Sequence, residues 1–209
     1  MKLNLYDYLR AAHVKRWHIM NTAGAQNIAE HSFLVTIIAI DLYHQMVGYD
    51  PTDGDTPGMR GGGDGDMLRL VMGALFHDMC EVRTGDLPTP AKRYIREMLN
   101  KGGVPKPMDV FEEMEYDLMP KVPYIGGNIS VSIGHFILMA DIIEATHWIT
   151  DNGIGAHSQI VIDRIRMRME SRIAEFTAAT SVDWYEPVNR VLMALGMPVA
   201  HPETATRAM

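Results

Sequence analysis

Two histidines and two aspartates interrupt segments of the chain that otherwise have the apolar spacing of buried helices. They are His31, His77, Asp78 and Asp141. A buried imidazole or carboxylate destabilises a fold unless a partner satisfies it. Together the four side chains offer nitrogen and oxygen ligands that suit a divalent transition metal in a site without cysteine. They lie too far apart for a local metal loop, so we expect ligands from several helices around one cavity.

Each of these four residues has a simpler interpretation when it is taken alone. A single histidine on an apolar face is commonly a hydrogen-bonded core residue. A single aspartate in a helix commonly lies on the solvated face. The residues by themselves leave both interpretations open.

Glu81 lies three residues after Asp78, about one helical turn away if the helix continues. We interpret it as a general base or water-orienting carboxylate beside the metal. The alternative is an ordinary solvated acid near a helix end.

Positive charge for an anionic substrate is available from Arg16 and Lys92. An arginine can hold a phosphate with two parallel hydrogen bonds, which a lysine cannot reproduce. Trp17, next to Arg16, offers an aromatic face for a sugar or base. The alternatives are solvated charges and a tryptophan that fills the edge of the core.

The composition describes one soluble domain over residues 1–209. The chain is 47% hydrophobic and has a net charge of -7, which argues against a protein that coats nucleic acid through many cationic contacts. Cys80 is the only cysteine, so an intrachain disulfide and a cysteine-based zinc site are excluded. We find neither an apolar run of membrane-spanning length nor a secretory signal. We therefore expect a cytoplasmic protein with no membrane or nucleic-acid partner.

Helical periodicity extends over almost the whole chain and predicts an all-α fold. The predicted helices cover about residues 3–14, 29–47, 66–78, 90–100, 108–119, 133–149, 158–177 and 183–195. The dense Gly, Pro and Asp content of residues 48–66 predicts a flexible loop, and residues 197–209 are typical of a disordered tail.

Apolar spacing also predicts which side chains of these helices are buried. In the first helix it predicts an apolar face of Leu3, Tyr6, Leu9 and Val14, and in the second a buried side of Phe33, Ile37, Ile40 and Met46. In the third helix the apolar residues are Leu68, Val71, Met72, Leu75 and Phe76.

The order of His31, the His77-Asp78 pair and Asp141 resembles the HD-domain metal-dependent phosphohydrolases. Longer blocks are similar to the bacterial HD-domain 5'-deoxynucleotidases of the YfbR type: RW at 16–17, NIAEHS at 27–32, HDMCEVRTGDLPTPAK at 77–92 and MADIIEA at 139–145. The similarity covers roughly residues 5–180. A related set of small phage enzymes shares this core and cleaves deoxynucleoside triphosphates, especially dATP, to deoxynucleoside and triphosphate.

The resemblance implies a single-domain HD-type helical bundle with one divalent metal ion between its core helices. His31, His77, Asp78 and Asp141 would hold this ion, which is cobalt, manganese, zinc or magnesium. The implied reaction is hydrolysis of a 2'-deoxynucleotide at its α-phosphorus. Asp78 and Glu81 would be the catalytic residues, with Glu81 activating the attacking water.

The resemblance also implies substrate-binding residues. Arg16 would hold phosphate and Trp17 would lie against the deoxyribose, while Asp86 and Lys92 would lie at the rim of the site. Ile19 stands where the bacterial enzymes have leucine, and we expect it to shape the base pocket in favour of adenine. Members of this family usually self-associate, so we expect a homo-oligomer, a dimer or higher.

Several functions remain open at this point. The sequence supports monophosphate and triphosphate substrates almost equally, since the chemistry at the α-phosphorus is the same for both. The alternatives are an HD phosphodiesterase or alarmone hydrolase, and a non-catalytic nucleotide-binding module. If the chain is encoded by a phage, the compartment would be the host cytoplasm.

Overall fold

The computed structural model describes residues 5–47, 64–101 and 131–201 of the chain. Within these ranges the chain is helical without strands, which confirms the all-α prediction. The helices in chain order are α1 (Leu5–Leu9), a 3₁₀ helix (Arg10–His13), α2 (Ile28–Val47), α3 (Asp64–Phe76), α4 (Glu81–Thr84), α5 (Thr89–Lys101), α6 (Val131–Asn152), α7 (Ala156–Thr180) and α8 (Tyr185–Ala194).

The predicted helix boundaries agree with α2, α3, α5, α6, α7 and α8 to within about three residues. The predicted helix at 108–119 and most of the predicted loop at 48–66 lie outside the described residues. Residues 64–66 belong to the start of α3 instead of the loop. The prediction of a disordered tail at 197–209 is wrong for its first residues, because Met197 and Ala200 are buried in the core and Ala200 exchanges hydrogen bonds with Asn189. After position 201 the tail lies outside the described residues. No helix in the described ranges has the length and apolar content that crossing a membrane requires.

The core lies where α2, α3, α6 and α7 pack together, and α8 closes one side. Burial of each large apolar side chain in such a core stabilises the fold by about 1.5–3 kcal/mol. Fully buried residues from all five helices fill it: Val35, Ala39, Leu42, Leu70, Met139, Ile143, Ile173 and Leu192.

The buried side of α2 differs from the prediction. Phe33 and Ile37 are 58% and 51% exposed, and Ile40 and Met46 are only partly buried. The helix is apolar nearly all round, so its periodicity does not select one face. The face that enters the core begins at His31, which is fully buried. Tertiary packing therefore buries the face that carries the polar residue.

The apolar residues predicted for α1 and α3 are also partly wrong. Tyr6, Leu9 and Leu68 are exposed. In α1 the buried residue is Asp7, whose Oδ2 accepts a hydrogen bond of 2.6 Å from Arg83 on α4. This ion pair joins residues 76 positions apart, so no local sequence pattern predicts which side of the short helix is buried.

Backbone hydrogen bonds hold the loop between the 3₁₀ helix and α2 to itself and to the end of α6. The amide of Arg16 donates to the Gln26 carbonyl at 2.8 Å, which closes the loop on itself. The amide of Ala23 donates to the Asn152 carbonyl at 2.8 Å, at the end of α6. The loop lies close to α6 at this point, since a Cβ added to Gly24 would lie 2.9 Å from Oδ1 of Asn152. This attachment holds the Arg16-Trp17 segment beside α6.

Candidate active site

The four residues singled out by the sequence converge in the structure. His31 comes from α2, His77 and Asp78 follow α3, and Asp141 lies in the middle of α6. The Nε2 atom of His31 lies 3.2 Å from Nε2 of His77, and 3.3 Å from carboxylate oxygens of both Asp78 and Asp141. Nε2 of His77 lies 3.4 Å from Asp78 Oδ2. Packing of α2, α3 and α6 thus brings residues from distant parts of the sequence to one point.

The donor set and its geometry fit a divalent cation. Ligand atoms of His31, His77 and Asp78 all lie within 4.8 Å of one another. Asp141 is not part of this closest group, but its Oδ1 lies 3.3 Å from Nε2 of His31. Nδ1 of His77 lies 2.7 Å from the Ala74 carbonyl. As that carbonyl can only accept, Nδ1 carries a proton, and Nε2 is the nitrogen that faces the cluster and is available to a metal. Two imidazoles and two carboxylates facing one point are the ligands that Zn²⁺, Mn²⁺ and Co²⁺ accept.

In the metal-free protein, a proton on His31 balances part of the negative charge of the cluster. Burial lowers the pKa of His31, but its hydrogen bonds to Asp141, Asp78 and Glu144 outweigh this and raise it to about 10. Burial likewise raises the pKa of Asp78 and Asp141, yet the two imidazoles hold both below their usual range. The aspartates are therefore ionised at neutral pH, and their excess negative charge favours a cation between them.

Glu81 is a buried carboxylate at the start of α4, with only 4% of its surface exposed. Its Oε1 accepts a hydrogen bond of 3.1 Å from Lys92 Nζ, and its buried Oε2 has no hydrogen-bond partner among the described residues. Burial, then the charges of Asp78 and Asp86, raise the pKa of Glu81 to about 8, while Lys92 lowers it. The interpretation as an ordinary solvated acid is therefore wrong. A carboxyl that titrates near neutral pH suits proton transfer.

Arg16 and Trp17 lie on the fixed loop beside α6. The Arg16 side chain is 13% exposed, and Nη1 lies 3.5 Å from Glu144 Oε2 without forming a hydrogen bond to any described residue. Trp17 has a φ of 61°, a left-handed conformation that is strained for a bulky residue and recurs at functional sites. Its ring stacks on Trp148 at 5.5 Å. Both residues are thus held in defined positions.

The remaining predicted substrate residues lie around this loop and the turn after α4. Oδ2 of Asp86 lies 3.8 Å from His18 Nδ1, so the turn and the loop meet there. Lys92 is the ion-pair partner of Glu81. Ile19 is 57% exposed and therefore free to contact a ligand. The structure brings Lys92 to Glu81 and Asp86 to the loop.

Sequence reasoning missed Glu144 and Gln26. Glu144 lies one turn after Asp141 on α6 and is 2% exposed. Its Oε2 is 2.6 Å from His31 Nδ1, and its Oε1 accepts a hydrogen bond from Gln26 Nε2. The signal was present in the MADIIEA block, where a second carboxylate follows Asp141 at helical spacing within an apolar helix.

A helical fold that joins a histidine, a His-Asp pair and a distant aspartate defines an HD-type phosphohydrolase. The chain is thus an enzyme of the hydrolase class. The family model described as "5'-deoxynucleotidase YfbR-like" matches residues 5–145, and the chain belongs to this family.

Individual relatives come from phages and bacteria. The chain is 27% identical to a dATP triphosphohydrolase of Salmonella phage PMBT28, over 84% of this chain and 80% of the relative. It is 32% identical to the 5'-deoxynucleotidase YfbR of Escherichia coli O1:K1 / APEC, over 39% of this chain and 35% of the relative. Among solved structures, the Cyanophage S-2L HD phosphohydrolase (DatZ), bound to dA and one catalytic Zn²⁺ ion, is 26% identical. It matches with a TM-score of 0.63 over 92% of this chain and 93% of the other.

Proposed function

We propose that the chain hydrolyses 2'-deoxynucleoside triphosphates, dATP foremost, to deoxynucleoside and triphosphate. The observation that carries the hydrolytic part is the buried Glu81 carboxylate, which begins α4 three residues after Asp78 of the converging His-Asp cluster. The choice of a triphosphate rests on similarity, since the phage dATP triphosphohydrolase matches 84% of this chain and the E. coli nucleotidase 39%.

In this proposal His31, His77, Asp78 and Asp141 hold one divalent metal ion. The bound ion would supply Lewis acidity toward the phosphoryl oxygen and lower the pKa of water. Zinc has direct support from the DatZ neighbour, whose structure contains a catalytic Zn²⁺. Cobalt, manganese and magnesium remain compatible with the His and Asp ligands.

Glu81 is assigned the role of general base. It takes a proton from the attacking water, whose oxygen forms a bond to the α-phosphorus while the bond from phosphorus to O5' breaks. The electron pair stays on O5', which gains a proton to give the deoxynucleoside. Lys92, 3.1 Å from Glu81 Oε1, holds the carboxylate in place and keeps its pKa from rising further.

Arg16 and Trp17 are assigned to the substrate. Arg16 Nη1 is buried and lacks a hydrogen-bond partner in the described part of the chain, so it has a donor available for a phosphate oxygen. The stacked Trp17 ring would lie against the deoxyribose and exclude a 2'-hydroxyl. Asp86 and the exposed Ile19 would complete the rim, with Ile19 toward the base.

A substrate screen tests this proposal. The purified chain, loaded with zinc, manganese or cobalt, is incubated with dATP, dGTP, dAMP and ATP, and products are separated by anion-exchange chromatography. We expect intact triphosphate and deoxyadenosine from dATP and little turnover of ATP. No turnover of any deoxynucleotide with any of the metals would refute the proposal.

A 5'-deoxynucleotidase is the second candidate. It is favoured by the match of the YfbR-like family model to residues 5–145. In the same screen it predicts release of inorganic phosphate from dAMP and no triphosphate from dATP. Self-association stays a prediction for either function, and light scattering on the purified chain tests it.

A further inference from the structure

We propose that Glu144 is a positioning residue that joins the metal-binding half of the site to its substrate-binding half. One oxygen of its carboxylate contacts a metal-ligand candidate, and the other contacts the residue that fixes the Trp17 ring. The inference rests on the proposed function for the roles of His31 and Trp17. The contacts of Glu144 itself are independent of it.

The metal branch runs from Glu144 to His31. Glu144 Oε2 lies 2.6 Å from Nδ1 of His31, which is fully buried. A carboxylate can only accept, so Nδ1 carries the proton and Nε2 faces His77, Asp78 and Asp141. A carboxylate behind a metal-bound imidazole fixes its tautomer and orientation and makes it a stronger ligand. Glu144 thereby sets the direction of one metal ligand.

The substrate branch runs from Glu144 through Gln26 to Trp17. Glu144 Oε1 accepts from Gln26 Nε2, which leaves the amide oxygen of Gln26 facing the other way. That oxygen accepts from Trp17 Nε1 at 3.0 Å. Arg16 Nη1, 3.5 Å from Glu144 Oε2, is drawn to the same carboxylate. The orientation of the indole and the guanidinium therefore depends on the group that orients His31.

The cost of burying Glu144 supports a functional reason for it. A carboxyl side chain with 2% exposure requires close polar partners. Its partners are His31 and Arg16, to which the proposed function assigns direct roles, and Gln26, which holds the Trp17 ring. Loss of Glu144 should therefore weaken metal binding and substrate binding together.

A pair of substitutions separates hydrogen-bond geometry from general damage. In Glu144→Gln, the amide oxygen still accepts from His31, but the new NH₂ faces the NH₂ of Gln26, and two donors oppose each other. In the double variant E144Q/Q26E, the new carboxylate at position 26 accepts from the amide introduced at position 144 and from Trp17 Nε1. The double variant restores the contact pattern while moving the charge to position 26.

Metal affinity is measured without nucleotide by competition between Zn²⁺ binding to the protein and to a chromophoric chelator. Steady-state kinetics with dATP follow on the same variants. We expect E144Q to bind Zn²⁺ about 10–100-fold more weakly and to raise KM. The double variant should recover most of the loss in KM, while its Zn²⁺ affinity stays lowered, because His31 still donates to an amide oxygen instead of a carboxylate. Gln26→Ala is the matched control for the substrate branch, with a raised KM and a smaller loss of Zn²⁺ affinity than E144Q.

Circular dichroism establishes that each variant is helical before its affinity is compared. If E144Q does not fold, Glu144→Asp replaces it, since the shorter side chain keeps the charge but withdraws the carboxylate from His31. Wild-type Zn²⁺ affinity in the folded variant, or a double variant whose KM is no lower than that of E144Q, would overturn the proposal. A wild-type chain that binds Zn²⁺ but hydrolyses no deoxynucleotide would overturn the proposed function and leave the metal branch standing.

Discussion

The His-Asp cluster and the Arg16-Trp17 loop reach the same part of the molecule by different means. The cluster side chains stand on α2 and α6 and on the turn after α3, whose backbones are fixed by core packing. The loop is held by polar contacts, from Trp17 to Gln26 and from Gln26 to Glu144. The backbone of the metal half should therefore resist changes in the loop, while the position of the substrate half depends on a few hydrogen bonds. Metal affinity and KM are the measurements that separate the two halves.

The largest expected effect comes from the cluster itself. Asp78→Ala removes one proposed ligand and leaves two imidazoles beside Asp141, so metal binding and dATP hydrolysis should both fall to background. Metal content by mass spectrometry and turnover of dATP measure this. Asp163→Ala, an exposed aspartate on α7, is the matched control and should behave as wild type. Full activity of Asp78→Ala would refute the proposed site.

Glu81→Gln should separate chemistry from metal binding. The amide cannot take a proton from water, so kcat should fall by about 10²–10⁴-fold, while Zn²⁺ affinity stays near the wild-type value because the four cluster residues are intact. Rapid-quench kinetics and chelator competition measure the two quantities. Glu97→Gln, an exposed glutamate on α5, serves as control. Unchanged kcat in Glu81→Gln would exclude Glu81 as the base.

Arg16 tests the substrate half. Arg16→Ala removes a charged hydrogen bond worth about 1.5–3 kcal/mol, so KM for dATP should rise about 10–100-fold. Arg16→Lys should restore little of this, because a lysine lacks the planar fork of donors. Zn²⁺ affinity should change much less than KM. Lys15→Ala removes an exposed neighbouring charge and should leave KM nearly unchanged. If KM rose as much in Lys15→Ala as in Arg16→Ala, the effect would come from the loss of positive charge in general and not from a hydrogen bond made by Arg16.

The cluster could be predicted from the sequence, and the contacts behind it could not. His31, His77, Asp78 and Asp141 are costly polar residues in apolar segments, so each carries its own signal. Glu144 shares a helix with Asp141, and a second acid in that position is equally consistent with a solvated face. Its role depends on Gln26, 118 positions away. The buried face of α2 was mispredicted for a similar reason, since only packing selects among its apolar sides.

The raised pKa of Glu81 predicts a pH-dependent stability of the metal-free protein. The carboxyl titrates near its ordinary value of 4.5 when unfolded and at about 8 when folded. Between these two pH values the carboxyl is ionised in the unfolded chain but protonated in the folded one. Its contribution to the free energy of unfolding is therefore fully present below about pH 4.5 and is lost as pH rises through 8. The Tm of Glu81→Gln should therefore exceed that of the wild type by an amount that grows from pH 5 to pH 8. Thermal denaturation in chelator measures this; a constant difference in Tm would contradict the raised pKa.

The smallest expected effect concerns base selection at the edge of the substrate half. Ile19 is 57% exposed, so only part of its side chain is available to pack against a base. Ile19→Ala removes apolar contact worth about 1 kcal/mol, which should lower the ratio of kcat/KM for dATP over dGTP by about fivefold without changing Zn²⁺ affinity. Val182→Ala is a matched control, because Val182 is also exposed and lies between α7 and α8. An unchanged ratio would remove Ile19 from the base pocket and leave Arg16 and Trp17 as the substrate contacts of this loop.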